Sequence, residues 1–280
     1  MEELLSGSRH KAALKHSAHA ALHRLRNLAG QLNTQLKAPV RFELKERPRV
    51  LVMGIYLANK PNLVSHLVRA YEATERCIVE QKWISMNGIH TDPKVQSVTA
   101  LTVEGFVPKF VLLNRLFKTI DVRAYDYIVL TDDDVRVRKR FLDSLISCQE
   151  HFDFAIAQPA RTWNSYHDHR IVLRDPRYVA RQTWFVEIGP VVSLQRRVLG
   201  HVLPFDEQSP MGYGYDFVWP CLLRDAGLTM GIIDCCPLDH SQRERAQHYS
   251  VQAELDVMYE YLRDRPHVTR AQARQNVRRY

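Results

Sequence analysis

The stretch Tyr125–Val135, YDYIVLTDDDV, constrains the fold more than any other part of the chain. Tyr127 to Leu130 have the β-branched and aromatic character of a strand buried on both faces, as strands of parallel sheets are. Three aspartates follow at once, where such a strand leaves the sheet. Alternate residues of an extended chain share a face, so the period of two points Asp132 and Asp134 together and Asp133 away. Two carboxylates converging at a strand end repel each other unless a cation or protons intervene. A hard divalent cation, Mg2+ or Mn2+, suits such a pair. The plainer alternative is an acidic turn capping the next helix, expected over Arg138–Gln149, because Asp is common at helix starts.

The chain ahead of this stretch alternates strand and helix. Arg49–Leu57 is a continuous apolar run and reads as the first strand. A helix over Leu63–Cys77 follows, with Leu63, Leu67, Ala70, Tyr71 and Thr74 on one stripe. Val79–Met86 and Ser97–Val103 read as strands two and three, and Lys109–Ile120 as a helix. The fold class is therefore α/β, a mostly parallel sheet flanked by helices. Gly54 stands alone, with neither GxGxxG nor a P-loop lysine, so dinucleotide-binding dehydrogenase and P-loop NTPase readings have no support.

Among 280 residues, 45% are apolar and 25% charged, ordinary values for a globular protein. No apolar window of about 18 residues occurs and the N-terminus lacks a signal-peptide core, so no transmembrane or secretory segment is expected. Five cysteines form no CxxC pair and no regular framework, which fits a reducing, cytoplasmic setting. The net charge of +8 sits at the ends: seven Lys/Arg against Glu2 and Glu3 in residues 1–42, six Arg against Asp264 in residues 263–280. Each end carries +5, leaving 8 − 10 = −2 for the middle, which argues against a nucleic-acid face there. Residues 9–36 read as an amphipathic helix with Leu14, Ala18, Ala21, Leu25, Leu28 and Leu32 on its seam. Its apolar face suits a partner, its own domain or, less well because half the seam is alanine, the inner face of an anionic membrane. The organisation expected is a basic N-terminal helix and linker (1–42), a catalytic domain (43–262) and a basic tail (263–280).

Further along, Asp216 stands in GYGYDF ahead of a helix over Phe217–Ala226, where it is either a helix cap or a site carboxylate. Glu187 lies in the apolar run Trp184–Ile188, read as a strand; a buried Glu needs a partner, so it faces a site or pairs with an Arg. His167 and His169 flank Asp168 in a polar loop and suit acceptor or phosphate binding. Trp163, Trp184 and Trp219 are candidates for sugar stacking or for the core.

Strand and helix repeated ahead of a terminal DxD is the order of the GT-A glycosyltransferases. Lys109-Phe-Val-Leu-Leu-Asn114 keeps the Lys-x4-Asn spacing of many family 2 members. From Tyr125 to about His240 the chain also resembles an uncharacterised, glycosyltransferase-like family of plants and bacteria. The matching blocks are Asp132–Asp134, Gln158-Pro159-Ala160, His167 and His169, Phe185-Val-Glu187 with Pro190-Val191, Gly212–Phe217 and the strand ending at His240. The family's Asp-Glu-Asp is Asp-Asp-Asp here, with first and third aspartates retained. The resemblance implies transfer of a sugar from a UDP- or GDP-sugar to a glycan, lipid or small-molecule hydroxyl. It implies Asp132, Asp134 and His240 as metal ligands, and Lys109, Asn114, Asp132, Asp133 and Glu187 on the donor. It also implies Asp216 as the base of an inverting transfer, kept ionised by its distance from the metal pair. Two rivals remain, a non-catalytic relative acting as a scaffold and a haloacid-dehalogenase-like phosphatase. The latter wants Thr or Val where Arg136 stands.

Overall fold

The computed structural model describes residues 40–243 and 250–280. The basic segment read as an N-terminal helix lies outside the described residues, apart from its last three positions. Of these, Phe42 stacks on His151 with ring centroids 3.7 Å apart, so the packed domain begins before residue 43.

Strand β1 (Arg49–Leu57) lies between β2 (Ile78–Met86) and β4 (Tyr127–Asp132), and β3 (Thr99–Val103) flanks β2, all four parallel. Each β1 residue with its side chain on one face is matched by a neighbour on the other. Val50 and Val52 enter one core with α1 (Val64–Glu72), while Leu51 and Met53 enter the opposite core. Burial on both faces is why this segment reads as a continuous apolar run rather than an alternating one. Gly54 has a packing reason: a Cβ there would meet the Trp83 ring at 2.3 Å.

The remaining helices are α2 (Pro93–Ser97), α3 (Lys109–Phe117), α4 (Phe141–His151), α5 (Leu199–Val202), α6 (Tyr215–Asp225), α7 (Val251–Arg263) and α8 (Arg270–Ala273). Helices α1 and α4 cover one face; α3, α6 and α7 cover the other. The other strands are β5 (Ile156–Arg161), β6 (Ala180–Thr183), β7 (Val191–Gln195), β8 (Met230–Leu238) and β9 (Asn276–Arg279). The sheet order is β3-β2-β1-β4-β7-β5-β8-β6-β9. Only β7, antiparallel to β4 and β5, and β6, antiparallel to β8 and β9, run against the rest. The sheet is therefore mostly parallel, as expected.

Two readings are corrected. Residues 263–280 are no tail: they supply the end of α7, α8 and edge strand β9, and Tyr280 packs on Phe152 and Phe154. An arginine-rich edge strand has no apolar period to reveal it. Trp184–Ile188 is not a strand, because its backbone is held by side chains: the Glu187 N–H donates to Gln158 Oε1 at 2.7 Å.

All five cysteines are free thiols, and Cys148 and Cys235 approach to 3.3 Å. Among the described residues no helix is long and apolar enough to cross a membrane. Buried Arg181 grips Asp234 with Nε and Nη2 at 2.8 and 2.9 Å and donates to the carbonyls of Ile171 and Leu173. Burial pushes the Asp234 carboxyl up in pKa despite the pull of Arg181, so desolvation outweighs the attraction and the intact pair adds little net stability. Breaking it is different, because the guanidinium is left stranded. Asp234→Ala is expected to cost about 3–5 kcal/mol, read from the urea midpoint; a loss below 1 kcal/mol would show that Arg181 is satisfied by carbonyls alone.

Candidate active site

Strand β4 ends at Asp132, and Asp133–Asp134 form a turn, so strand alternation stops one residue into the triplet. This corrects the expected orientation. Asp132 pairs with Lys109 Nζ at 2.5 Å and lies against Gly189, where an added Cβ would be 3.3 Å from its Oδ2. Asp133 is buried and accepts the Leu57 N–H at 2.8 Å. Asp133 and Asp134 share Arg243, which sequence reasoning missed. An arginine just past a strand end reads as surface; the signal was an acidic triplet with too few cations near it.

His240 reaches Asp134 through backbone pairing. Arg136 and Asp239 exchange N–H···O bonds of 2.8 and 3.0 Å, tying the loop after the triplet to the end of β8. The His240 N–H donates to Ser165 Oγ, and its carbonyl accepts from Tyr166 N–H. These contacts set His240 Nε2 3.3 Å from Asp134 Oδ1. Burial disfavours the Asp134 charge, but His240 and Arg243 outweigh it and hold its pKa below the ordinary value. For Asp133, burial wins over Arg243 and, with Asp134 beside it, lifts the pKa to about 6.

Among the described residues no group of three or more His, Cys, Asp or Glu side chains forms a metal cage. Asp132 is paired with Lys109 instead. What the chain does offer is a two-ligand seat. Asp134 Oδ1 is buried with no hydrogen bond and faces His240 Nε2 at 3.3 Å, a carboxylate and an imidazole nitrogen of ligand type side by side. Mg2+ and Mn2+ normally take only one or two protein ligands and complete their shell with water and phosphate oxygens. The residues fit a cation of that kind.

Glu187 is both strapped and site-facing. It pairs with buried Arg161 and accepts the backbone N–H groups of Asp168 and His169 at 3.3 and 3.0 Å. Arg161 also donates to the Gly189 carbonyl. Glu187 in turn acts on Asp216, near the start of α6. Burial first, and Glu187 second, push the Asp216 carboxyl up to about 8. Its Oδ1 is buried without a hydrogen bond. The setting of Asp216 disfavours the ionised carboxylate expected for it: distance from Asp132 and Asp134 does not help when burial and a second carboxylate, Glu187, act on the same group. Loop 187–189 spans the two centres, with Glu187 acting on Asp216 and Gly189 against Asp132.

Other candidates fall outside this constellation. Asn114 is buried, donating to Phe205 O and Glu207 Oε1 and accepting Phe205 N–H, so it pins the loop after α5 and not a donor. Five residues along a helix turn about 140°, so Lys109 and Asn114 cannot share a face of α3. His167 Nδ1 meets Ser165 O at 3.0 Å, while the His169 ring packs on Phe185 and Phe217. Gly212 admits Phe110, not a ligand: a Cβ there would fall 2.2 Å from that ring, at a φ of +84°. Trp219 is core, and Trp163 is 48% exposed.

The mostly parallel nine-stranded sheet flanked by helices has the GT-A fold of the solved glycosyltransferases to which it is similar. Among solved structures the chain is similar to mannosyltransferase PcManGT from Pyrobaculum calidifontis, solved with GDP-Man and Mn2+, at 16% identity and a TM-score of 0.50, covering 83% of this chain and 68% of that one. It is similar to GalNAc-T7, solved with UDP, GalNAc and Mn2+, at 9% identity and 0.54, covering 78% and 48%. S. aureus TarS 1-349, solved with UDP-GlcNAc, matches at 12% and 0.52, covering 75% and 64%. At these identities the likeness establishes the fold. No family model matches the chain, and no curated protein sequence does.

Proposed function

We propose that this chain is a metal-dependent glycosyltransferase that moves a sugar from a UDP- or GDP-sugar to a hydroxyl acceptor with inversion. The observation that carries the reading is the span from Asp134–His240 through loop 187–189 to Asp216. A donor laid along it would have its diphosphate at the strand ends and its sugar towards Asp216. The structures similar in fold, crystallised with GDP-Man, UDP or UDP-GlcNAc, support the same donor class. Asp134 and His240 would hold the cation, which supplies Lewis-acid neutralisation of the leaving diphosphate.

The chain's own residues do the rest. Lys109 and Arg243 are the cations beside the aspartates and balance their charge in the donor-free protein. Arg161 locks Glu187, and Glu187 keeps the proton affinity of Asp216 high. A carboxylate of raised pKa is the stronger base, suited to taking the acceptor's proton near neutral pH.

The rival scaffold reading rests on Arg243 already filling space at Asp133 and Asp134. A screen of UDP- and GDP-sugars for Mn2+-dependent hydrolysis separates the two. No hydrolysis with any donor, together with no nucleotide binding, would leave the scaffold. The basic N-terminal segment serves location or assembly in this proposal. Deleting residues 1–39, which keeps Phe42, is expected to leave hydrolysis within about twofold and to reduce binding to anionic liposomes or self-association. Lost hydrolysis in a folded variant would place that segment in the catalytic unit.

A further inference from the structure

A groove of about 270 Å³ lies between α6, α7 and α8. Phe217, Leu262 and Val268 give it an apolar floor, Arg263, His267 and Arg270 line its rim, and no carboxylate lines it. Arg263 is occupied by Glu260 one helical turn away. Arg270 is not so occupied: it donates to the Tyr259 hydroxyl at 3.1 Å, and neither it nor exposed Arg274 has an acidic partner among the described residues.

The groove adjoins the base side of the site. Phe217 follows Asp216 in α6, and its ring lies 5.4 Å from Phe185 and 5.8 Å from His169. The Phe217 carbonyl accepts the Val268 N–H at 2.9 Å, which fixes the segment leading into α8 against that wall. Burial first, and Arg270, Arg274, Arg161 and His167 after it, lower the pKa of His169 to about 4. The imidazole is therefore neutral at physiological pH. Arg270 and Arg274 bring cationic charge towards it from the α8 side.

We propose that this groove binds the acceptor, and that the acceptor is an amphiphile: an apolar chain on the Phe217–Leu262–Val268 floor and a phosphate-type head on Arg270 and Arg274. The inference rests on the glycosyltransferase reading and adds the acceptor's chemistry to it. Two guanidinium groups suit a phosphate, because their planar forks bond its oxygens in pairs. An apolar chain leaves water on the floor of the groove. With its head held beside His169, the acceptor's hydroxyl would lie towards Asp216.

The test uses the full chain and dodecyl phosphate below its micelle concentration, with inorganic phosphate and dodecyl maltoside as comparisons. Saturable binding of dodecyl phosphate at least about 10-fold tighter than either is expected, falling to the dodecyl maltoside level in Arg270→Gln/Arg274→Gln. Both arginines are exposed, so the variant is expected to fold. Equal binding of dodecyl maltoside, or no change in the variant, would make the groove a mere apolar surface and overturn the proposal. Inorganic phosphate binding as tightly would remove the chain from it, and equal competition by polyglutamate would mark a face for acidic proteins instead. UDP and GDP binding with Mn2+ is measured alongside. Nucleotide binding intact without dodecyl phosphate binding strikes the groove alone; no nucleotide binding in the wild type strikes the transferase reading.

Discussion

Asp216→Asn is expected to lower sugar transfer by roughly 10²–10⁴-fold, the usual worth of a positioned acid–base group, while Mn2+ and nucleotide binding stay at wild-type levels. The substitution preserves shape and removes only the ability to take a proton. With the wild-type carboxyl lifted to about 8, kcat/KM should climb as pH rises from 6 and level off above about 8. The variant should lose that limb. Stability supplies a second readout of the same group. A carboxyl with a raised native pKa binds its proton more tightly folded than unfolded, so its contribution is fully present near pH 4 and is lost as pH rises towards 8. Wild type and variant should match near pH 4, and the variant should be more stable at pH 8 by up to a few kcal/mol, partial solvent contact tempering the value. Transfer at the wild-type rate, or a product retaining the donor's configuration, would reduce Asp216 to a helix-start residue.

Asp134→Ala is expected to weaken nucleoside diphosphate binding in the presence of Mn2+ by at least about 100-fold, since losing even an outer-shell partner of a metal ligand costs about 10–100-fold. Calorimetry with UDP and GDP, with and without Mn2+, on wild type and variant gives four conditions for each nucleotide. Binding should be tight only for wild type with metal. Equal affinity in all four would sink the assignment of Asp134 and His240. The substitution also frees Arg243 from one of its two carboxylates, so metal-free nucleotide binding should not fall and measures that arginine separately.

The parallel half of the sheet was legible because its strands are buried on both faces and spell that out in unbroken apolar runs. Arg49–Leu57 has the bounds expected of it. The helix after it is shorter than its apolar stripe, ending at Glu72 because Ala73 onwards turns to pin Asp143: the N–H groups of Glu75 and Arg76 both bond that carboxylate. Long-range pairs were less accessible. Nothing local to His240 announces Asp134; the backbone bridge from Arg136 to Asp239 brings them together, and only family resemblance suggested it. Arg243 and Arg161 escaped notice because an arginine's partner depends on the fold, not on spacing. Asn114 misled for the opposite reason: the Lys-x4-Asn spacing of family 2 members suggested a shared role that helical geometry forbids. The ionisation of Asp216 depended on a neighbour, Glu187, whose loop backbone is tied by side chains and so leaves no periodic trace.

Strand β7 has a consequence for how the chain reaches its native state. It is the one antiparallel member between β4 and β5, and it carries loop 187–189 into place at its leading end. Before β7 docks, β1 to β4 can form an open parallel layer whose outer edge is β4 itself, with unpaired amides along an apolar strand. Such an edge invites pairing with another chain. Docking of β7 covers it, and in the same event brings Glu187 towards Asp216 and Gly189 onto Asp132. Covering that edge and assembling the site thus depend on the same long-range pairing. Substitutions that slow it should show first as loss of yield during refolding, ahead of any change in the folded protein.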